Sequence, residues 1–272
     1  MTLKTIDLTP RLGTEVKLDA DALLSGAHTG ELRNLLERRG ALVFRGLNFT
    51  AEQLLAFSRT LGEVVPERTA VRKISLDEKE HTGSDYLKAS FYWHLDGTLD
   101  EFPALATLLS AQVLSKSGGG QTEFANTYAA YEYLSDEEKK AYDQVRAIHS
   151  FETVQRVVTP MPSYAQLMEW RRIHDRPRSH PLVWHHRSGR KSLVLGATAS
   201  HIEGMSLDEG RGLLCRLLDL ATQPRNVYRH EWEVGDLVVY DNTGTLHRAI
   251  PYAADSGRLM HRTALVGEEQ LV

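Results

Sequence analysis

One short stretch of the chain carries two side chains that could bind a metal ion. Within residues 91–98, His94 and Asp96 are separated by a single residue, Leu95. Side chains alternate between the two faces of an extended backbone, so we expect His94 and Asp96 to project together while Leu95 packs into the protein. An imidazole and a carboxylate on one face supply two ligands of the 2-His-1-carboxylate triad, which leaves positions on Fe(II) open. The triad requires a second histidine.

His247 is the candidate for that second histidine. It follows the segment 235–242, which predicts a strand and a turn, and it begins another apolar strand. Taken alone, such a histidine is more often a satisfied core residue than a metal ligand. Two arginines alter that interpretation, because Arg258 lies eleven residues beyond His247 and Arg262 lies fifteen beyond it. Their order after His247 favours a functional site.

The elements around these residues are short strands with helices before and between them. Capping signals mark the helices, for example Gly40 after a leucine-rich segment and the pair Ser135 and Glu138, which predicts a capping box. Helices are predicted over 31–39, 51–61, 128–134, 136–145 and 209–220. Strands are predicted over 41–45, 104–113, 191–196, 227–232, 236–241, 247–251 and 261–266. This order predicts an α+β fold with a mainly β core, a double-stranded β-helix of the jelly-roll or cupin type with flanking helices, in one domain spanning 1–272.

Composition excludes several classes of protein. Hydrophobic residues at 42% and charged residues at 25% are ordinary for a globular protein, and a net charge of −4 argues against nucleic-acid binding. No apolar run is long enough for a signal peptide or a membrane span, so we expect a cytoplasmic protein that does not contact membranes. The single cysteine, Cys215, lies in a leucine-rich helical pattern and is predicted to be a buried structural thiol.

Two long segments of weak periodicity are predicted to be loops that cover the site, at about 64–90 and 151–190. The first leads directly into the His94 stretch and includes the charged run 77–81. The second is rich in Arg, His and Pro, and could also form an oligomer contact. We predict substrate contacts from His81, Tyr86 and Phe151 of these segments and from His149, just before the second one.

Taken together, these motifs resemble a known family. The set consists of His94-x-Asp96, the turn 119–122, Tyr240-Asp241-Asn242 before His247, and the two arginines that follow. It resembles the Fe(II)/2-oxoglutarate-dependent dioxygenases of the taurine dioxygenase and 2,4-dichlorophenoxyacetate dioxygenase group, from about residue 40 to 266. The segments 191–206 and 221–224 are more similar to the phenoxyacetate branch.

The resemblance implies a role for each matching residue. His94, Asp96 and His247 would bind Fe(II), and Arg258 would pair with the distal carboxylate of 2-oxoglutarate. Thr122 would assist Arg258, since a hydroxyl can donate to a carboxylate without adding charge.

The resemblance defines the roles of two further residues less fully. Arg262 is the less certain arginine, which could contact 2-oxoglutarate or an anionic group of the substrate. Tyr240 occupies a position where the family often places tryptophan, so this pocket wall is predicted to be more polar.

The implied activity is hydroxylation of a C–H bond of a small anionic substrate, coupled to conversion of 2-oxoglutarate and O2 to succinate and CO2. Where the attacked carbon bears a sulfonate, sulfate ester or aryl ether, the product would release sulfite, sulfate or a phenol. A biosynthetic hydroxylase or desaturase acting on an amino-acid-like or natural-product substrate is an alternative. Two other classes are a zinc or manganese hydrolase and a non-enzymatic binding protein of the same fold. The family commonly forms dimers or tetramers, so a homo-oligomer is expected.

Overall fold

Strands and helices alternate along residues 3–66, 71–77 and 84–271, the part of the chain that this computed structural model describes. The strands in these ranges are β1 (Thr5–Asp7), β2 (Thr14–Val16), β3 (Ala41–Phe44), β4 (Arg72–Ile74), β5 (Ala106–Val113), β6 (Thr122–Asn126), β7 (Arg146–His149), β8 (Arg178–Pro181), β9 (Val183–His185), β10 (Lys191–Leu193), β11 (Ala199–Ile202), β12 (Val227–His230), β13 (Leu237–Asp241), β14 (Thr245–Ala249) and β15 (Leu259–Ala264). The α-helices are α1 (Ala20–Leu24), α2 (Thr29–Arg39), α3 (Ala51–Leu61), α4 (Thr127–Glu132), α5 (Asp136–Tyr142), α6 (Phe151–Val158), α7 (Tyr164–Ile173) and α8 (Leu207–Ala221). Short 3₁₀ helices cover Ser84–Phe91, Pro224–Asn226 and Ala254–Ser256.

The largest sheet is centred on β13. Its order is β1-β2-β3-β13-β5-β15-β4, and its pairs are antiparallel except for β2 with β3. Because β13 is buried on both faces, its residues alternate between two apolar clusters. Leu237 and Val239 pack with leucines of α2 and α3, whereas Val238 and Tyr240 face the opposite side. This alternation turns the Tyr240 side chain toward the interior between the sheets.

A second sheet, β12-β6-β14, covers that inner face of the main sheet. Phe124 and Tyr228 of this sheet share one buried cluster with Val238 and Tyr240 of β13. The two sheets therefore pack face to face, and β14 carries His247 into the space between them, opposite Phe124 in register. Two smaller sheets, β11-β7-β8 and β10-β9, share a buried apolar cluster with Ala125 and Leu246 of the second sheet.

Helices cover the outer faces of the two layers. The helix α3 begins with Thr50, whose side chain and that of Gln53 form a capping box, and Ser135 and Glu138 form the one predicted for α5. The main features of the sequence prediction, a mixed and sheet-rich fold with flanking helices, are confirmed. None of the helices in the described ranges combines the length and apolar character needed to cross a bilayer.

The prediction for Cys215 is wrong, because its side chain is exposed. In α8 the residues that face the core are Leu214, Leu217 and Ala221. A residue directly after Leu214 is rotated by about 100° around a helix of 3.6 residues per turn, which places Cys215 on the outer face.

The two segments predicted as loops contain regular structure. The first includes β4 and the 3₁₀ helix 84–91, and the second includes α6, α7, β8 and β9. The sequence did not indicate α7 because Trp170 is its one buried residue, so the helix has no apolar stripe. Its start is defined by a capping box between Ser163 and Gln166.

Candidate active site

Three side chains from two distant parts of the chain meet in a cavity between the sheets. One ligand atom each of His94, Asp96 and His247 lies within 4.8 Å of the others. The Nε2 atoms of His94 and His247 are each 3.8 Å from a different carboxylate oxygen of Asp96. Two imidazole nitrogens and one carboxylate form a donor set that suits non-haem Fe(II). Three protein ligands leave the other coordination positions of the metal open. The three side chains of the predicted triad therefore lie together.

A single antiparallel bridge, in place of the longer extended segment expected around His94, brings the two histidines together. Backbone hydrogen bonds of 3.1 and 2.9 Å link His94 and His247 in both directions. Gly196 packs closely against this bridge, since a Cβ atom there would lie 2.9 Å from the Cα of His94. His94 Nδ1 donates to the carbonyl oxygen of Tyr92 at 2.8 Å, which leaves Nε2 available on the cavity side.

Arg262 contacts the carboxylate of the triad. Its Nη2 donates to Asp96 Oδ2 at 2.7 Å, so the side chain reaches back from β15 to a residue 166 positions earlier in the chain. Burial opposes ionisation of Asp96, but the charge of Arg262, with smaller contributions from the two histidines, outweighs it and holds the pKa of Asp96 well below its usual range. The carboxylate therefore stays ionised and able to bind a cation.

Burial has the opposite consequence for His247. Desolvation, followed by the nearby His94, lowers the pKa of His247 to about 3. The imidazole is therefore neutral at pH 7, as a metal ligand must be. The hydroxyl of Tyr240 lies 3.3 Å from His247 Nε2, and burial, then the charge of Asp96, raises the pKa of this tyrosine. Tyr240 thus presents a neutral hydroxyl where the family often has an indole.

Arg258 is a buried cation in the same cavity. Its side chain donates to the carbonyl oxygen of Gly120 at 3.0 Å and to the Tyr252 hydroxyl at 3.4 Å. No carboxylate of the described residues lies within ion-pair distance of it, although it is only 4% exposed. A Cβ at Gly120 would come 2.7 Å from Arg258 Nε, which explains the glycine turn. A buried guanidinium without an anionic partner is suited to bind a ligand carboxylate.

The Thr122 hydroxyl lies in the same cavity and has a defined hydrogen-bond direction. Trp232 Nε1 donates to Thr122 Oγ1 at 3.0 Å. An indole N–H can only donate, so the hydroxyl proton of Thr122 is left to point elsewhere, including toward a ligand in the cavity.

The cavity has a volume of about 670 Å³. Among the residues predicted from the sequence, it is lined by His94, Asp96, Thr122, Phe151, Tyr240, His247, Arg258 and Arg262. The helices α6 and α7, and the residue that follows α7, contribute further side chains that the sequence did not single out, namely Gln155, Glu169, Arg172 and His174. The space is large enough for 2-oxoglutarate together with a small substrate.

The other predicted pocket residues differ in outcome. The prediction for His149 is wrong, because this residue is fully buried, does not line the cavity and bonds Thr198 Oγ1 through Nδ1 at 2.9 Å. The alternation of β7 turns it into the protein. His81 lies outside the described residues. Tyr86 lies in the 3₁₀ helix Ser84–Phe91, and its side chain is also outside the described part, so both contacts stay predictions.

Several residues of the site were missed. Trp232 and Tyr252, which contact Thr122 and Arg258, carry no local signal. Thr107 donates to Asp96, and Asn242, which belongs to the motif 240–242 but had no predicted role, donates to Thr107. The one available signal was a polar residue, Thr107, in the middle of an apolar strand, since buried hydroxyls need partners.

Comparison with known proteins identifies the family. The family model described as "Taurine catabolism dioxygenase TauD, TfdA family" matches residues 4–264. The chain is 36% identical to an alpha-ketoglutarate-dependent 2,4-dichlorophenoxyacetate dioxygenase of Burkholderia sp. (strain RASC), over 94% of this chain and 91% of that protein. It is 31% identical to an alpha-ketoglutarate-dependent sulfate ester dioxygenase of Pseudomonas putida, over 95% and 87% of the two chains.

Solved structures agree with these sequence matches. The crystal structure of AAD-2 in complex with Mn(II) and N-oxalylglycine superposes with a TM-score of 0.85 at 32% identity, over 100% of both chains. A taurine dioxygenase from Burkholderia xenovorans superposes with a TM-score of 0.79 at 27% identity, over 99% of this chain and 91% of the other. The chain therefore belongs to the TauD/TfdA family, and it is an oxidoreductase that uses Fe(II), O2 and 2-oxoglutarate, also called alpha-ketoglutarate.

Proposed function

We propose that this dioxygenase hydroxylates a small organic anion at a C–H bond next to an ether or sulfate ester oxygen. The observation that carries the proposal is one cavity that joins the cluster His94, Asp96 and His247 to the buried cation Arg258. The first group fits a divalent metal ion and the second fits a carboxylate. Both are needed for a reaction that consumes 2-oxoglutarate at iron.

In this proposal the three clustered side chains hold Fe(II), and Arg258 with Thr122 binds the distal carboxylate of 2-oxoglutarate. The bound metal and co-substrate supply the oxidising chemistry, with loss of CO2 and formation of succinate. The residues of the chain bind and orient the co-substrate and the substrate, and they exclude water from the site. Arg258 can form charge-assisted hydrogen bonds to a carboxylate, and Trp232 leaves the Thr122 proton free to add another.

The proposed substrate carries a carboxylate or sulfate group. Arg72 and Arg262 line the cavity at paired positions of β4 and β15, where Arg262 also pairs with Asp96. Relatives include proteins named dioxygenases for 2,4-dichlorophenoxyacetate, (S)-phenoxypropionate and sulfate esters. Hydroxylation of the carbon that bears the oxygen gives an unstable product, which collapses to a carbonyl compound and releases a phenol or sulfate.

A biosynthetic role is the second candidate. The chain is 27% identical to a pentalenolactone F synthase of Streptomyces arenae, over 89% of its length. Under this alternative the same site would act on a natural product without releasing a leaving group. The phenoxyacetate relatives are more similar, which favours the first candidate.

Further features belong to the same proposal. We infer that the two facing sheets form a double-stranded β-helix in a single domain, supported by the packing of β12-β6-β14 on the main sheet. We also propose a cytoplasmic homo-oligomer that acts on small molecules. The helices α6 and α7 are the proposed substrate-covering segment, since both line the cavity.

The test is succinate release measured across a panel of substrates with purified protein, Fe(II) and 2-oxoglutarate. The panel contains aryloxyalkanoates, alkyl sulfates, alkyl sulfonates and amino acids. We expect aryloxyalkanoates or alkyl sulfates to stimulate succinate release above the substrate-free rate, with stoichiometric phenol or sulfate. Stimulation by amino acids or sulfonates alone would contradict the proposed substrate class.

A binding measurement tests the site separately from the substrate. Anaerobic addition of Fe(II) and 2-oxoglutarate should produce a weak visible charge-transfer band in the wild type. Asp96→Ala should lose both this band and succinate production. Unchanged turnover in that variant would refute the ligand assignment.

A further inference from the structure

Two buried side chains form a hydrogen-bond chain that ends on Asp96. Thr107 lies on β5, Asn242 directly follows β13, and both are fully buried. Asn242 Nδ2 donates to Thr107 Oγ1 at 2.9 Å, and Thr107 Oγ1 donates to Asp96 Oδ2 at 3.1 Å. Neither residue belongs to the predicted ligand set, yet together they connect the central strand to the carboxylate.

The direction of this chain follows from the number of donors. A hydroxyl has one proton to donate and can accept in return. The Thr107 oxygen accepts from Asn242, and Arg262 Nη2 also lies 3.4 Å from it. An ionised carboxylate is a stronger acceptor than an amide oxygen, so the Thr107 proton goes to Asp96 and Asn242 presents its NH2 group. Asn242 therefore orients Thr107, and Thr107 orients Asp96.

The result is an asymmetric carboxylate. Thr107 and Arg262 both donate to Asp96 Oδ2, which accounts for the two lone pairs of that oxygen. Within the described residues, the hydrogen bonds of Asp96 end on Oδ2 and not on Oδ1. We propose that Thr107 and Asn242 are positioning residues that hold the carboxylate so that Oδ1 faces the metal ion. The inference rests on the proposed function, in which Asp96 is a ligand of Fe(II).

The test is a titration with Mn(II), in which electron paramagnetic resonance reports the free ion. Thr107→Val keeps the shape of the side chain and removes the hydroxyl. We expect its Mn(II) affinity to fall roughly 10- to 100-fold, the range found when outer partners of metal ligands are removed. Thr107→Ser restores the hydroxyl and should recover an affinity within a few-fold of the wild type.

Thr263→Val provides a matched control. Thr263 is a buried threonine on the neighbouring strand β15, and its hydroxyl bonds Ser58 at 2.7 Å rather than Asp96. Its replacement should leave Mn(II) affinity unchanged. Wild-type affinity in Thr107→Val, or a loss of the same size in the serine variant, would overturn the proposal.

A double-mutant cycle tests whether the two residues act in series. Asn242→Leu removes the donor to Thr107, and we expect it to weaken Mn(II) binding as well. In the Thr107→Val background it should add no further loss, because the route to Asp96 is already broken. Independent, additive losses would overturn the serial arrangement. If Thr107→Val is not folded by circular dichroism, Asn242→Leu compared with Thr263→Val carries the test.

Asp96→Ala separates failure of this inference from failure of the proposed function. Loss of Mn(II) binding in Asp96→Ala with normal binding in Thr107→Val leaves the ligand set standing and refutes the positioning role. Wild-type binding in Asp96→Ala refutes the ligand set itself.

Discussion

The cavity has a strand-built floor and a helical wall, and the two differ in how their polar groups are held. On the floor, Thr122, Tyr240 and Arg258 are at most 4% exposed and bond other buried groups. On the wall, α7 presents Glu169 and Arg172, whose side chains are 51% and 74% exposed and pair mainly with each other. A buried polar group loses more when its partner is removed than an exposed one does. We therefore expect the floor to determine the chemistry and the wall to adjust which substrate enters.

The largest effect is expected from the buried cation of the floor. Arg258→Ala removes the proposed partner of the 2-oxoglutarate carboxylate, and hydrogen bonds to charged groups contribute about 1.5–3 kcal/mol each. The KM for 2-oxoglutarate should therefore rise by about 10- to 100-fold. Succinate formation at varied 2-oxoglutarate concentration measures it.

Arg248→Ala is the control for Arg258→Ala. Arg248 directly follows His247, but its side chain is 37% exposed and pairs with Glu123 at 2.7 Å. Its removal should leave the KM for 2-oxoglutarate nearly unchanged. Equal changes in the KM for 2-oxoglutarate in the two variants would show that the buried arginine of the floor has no special role in binding it.

The same difference explains which parts of the site could be predicted. The sequence could indicate that His94, Asp96, His247 and Arg258 belong to one cavity, because the order of their residue types along the chain is itself a signal. The bond between Arg262 and Asp96 could not be found, since it joins positions 166 apart through the register of β15 with β5. Sequence order does not specify that register.

The wall was harder to predict than the floor for a physical reason. Buried strands such as 104–113 have continuous apolar character, whereas α7 buries only Trp170 and has no periodic signal. His149 and His174 both flank the helical segment, and only the structure shows that the first is buried and the second lines the cavity. A histidine suits either environment, so its type alone could not decide.

Burial of a histidine should also affect how the stability of the protein depends on pH. Burial, and then the nearby His180, lowers the pKa of His149 to about 3 from its usual 6.5. The unfolded chain takes up a proton on this residue below pH 6.5, while the native state does so only near pH 3. Stability from this residue is therefore complete above pH 6.5 and is lost as the pH falls toward 3, at about 1.4 kcal/mol per pH unit.

Urea unfolding between pH 4 and 6 measures this slope. His149→Gln removes the titrating group and retains a polar side chain beside Thr198. As the pH falls, the free energy of unfolding of this variant should decline less steeply than that of the wild type. The difference in slope should correspond to about one proton. Parallel slopes would show that His149 is protonated in the native state.

A smaller effect is expected from the indole that orients Thr122. Trp232→Phe removes one neutral hydrogen bond, worth about 1 kcal/mol, so the KM for 2-oxoglutarate should rise about fivefold with kcat retained. Trp184→Phe changes another buried tryptophan, which packs with Val194 and Leu271 away from the cavity, and should alter stability alone. A similar rise in KM for both variants would argue against orientation of the Thr122 hydroxyl.

The smallest effect is expected on the wall. Glu169→Gln removes the carboxylate that binds Arg172 through two hydrogen bonds of 2.6 and 2.9 Å. Because both groups are exposed, the thermal unfolding midpoint should not change measurably. The released arginine lines the cavity, so the KM for an anionic substrate should decrease slightly at low ionic strength and return to the wild-type value at high salt, where the charge is screened. A clear loss of stability, or a change in the KM for 2-oxoglutarate instead of the substrate, would show that the wall is coupled to the floor and that the division between them is wrong.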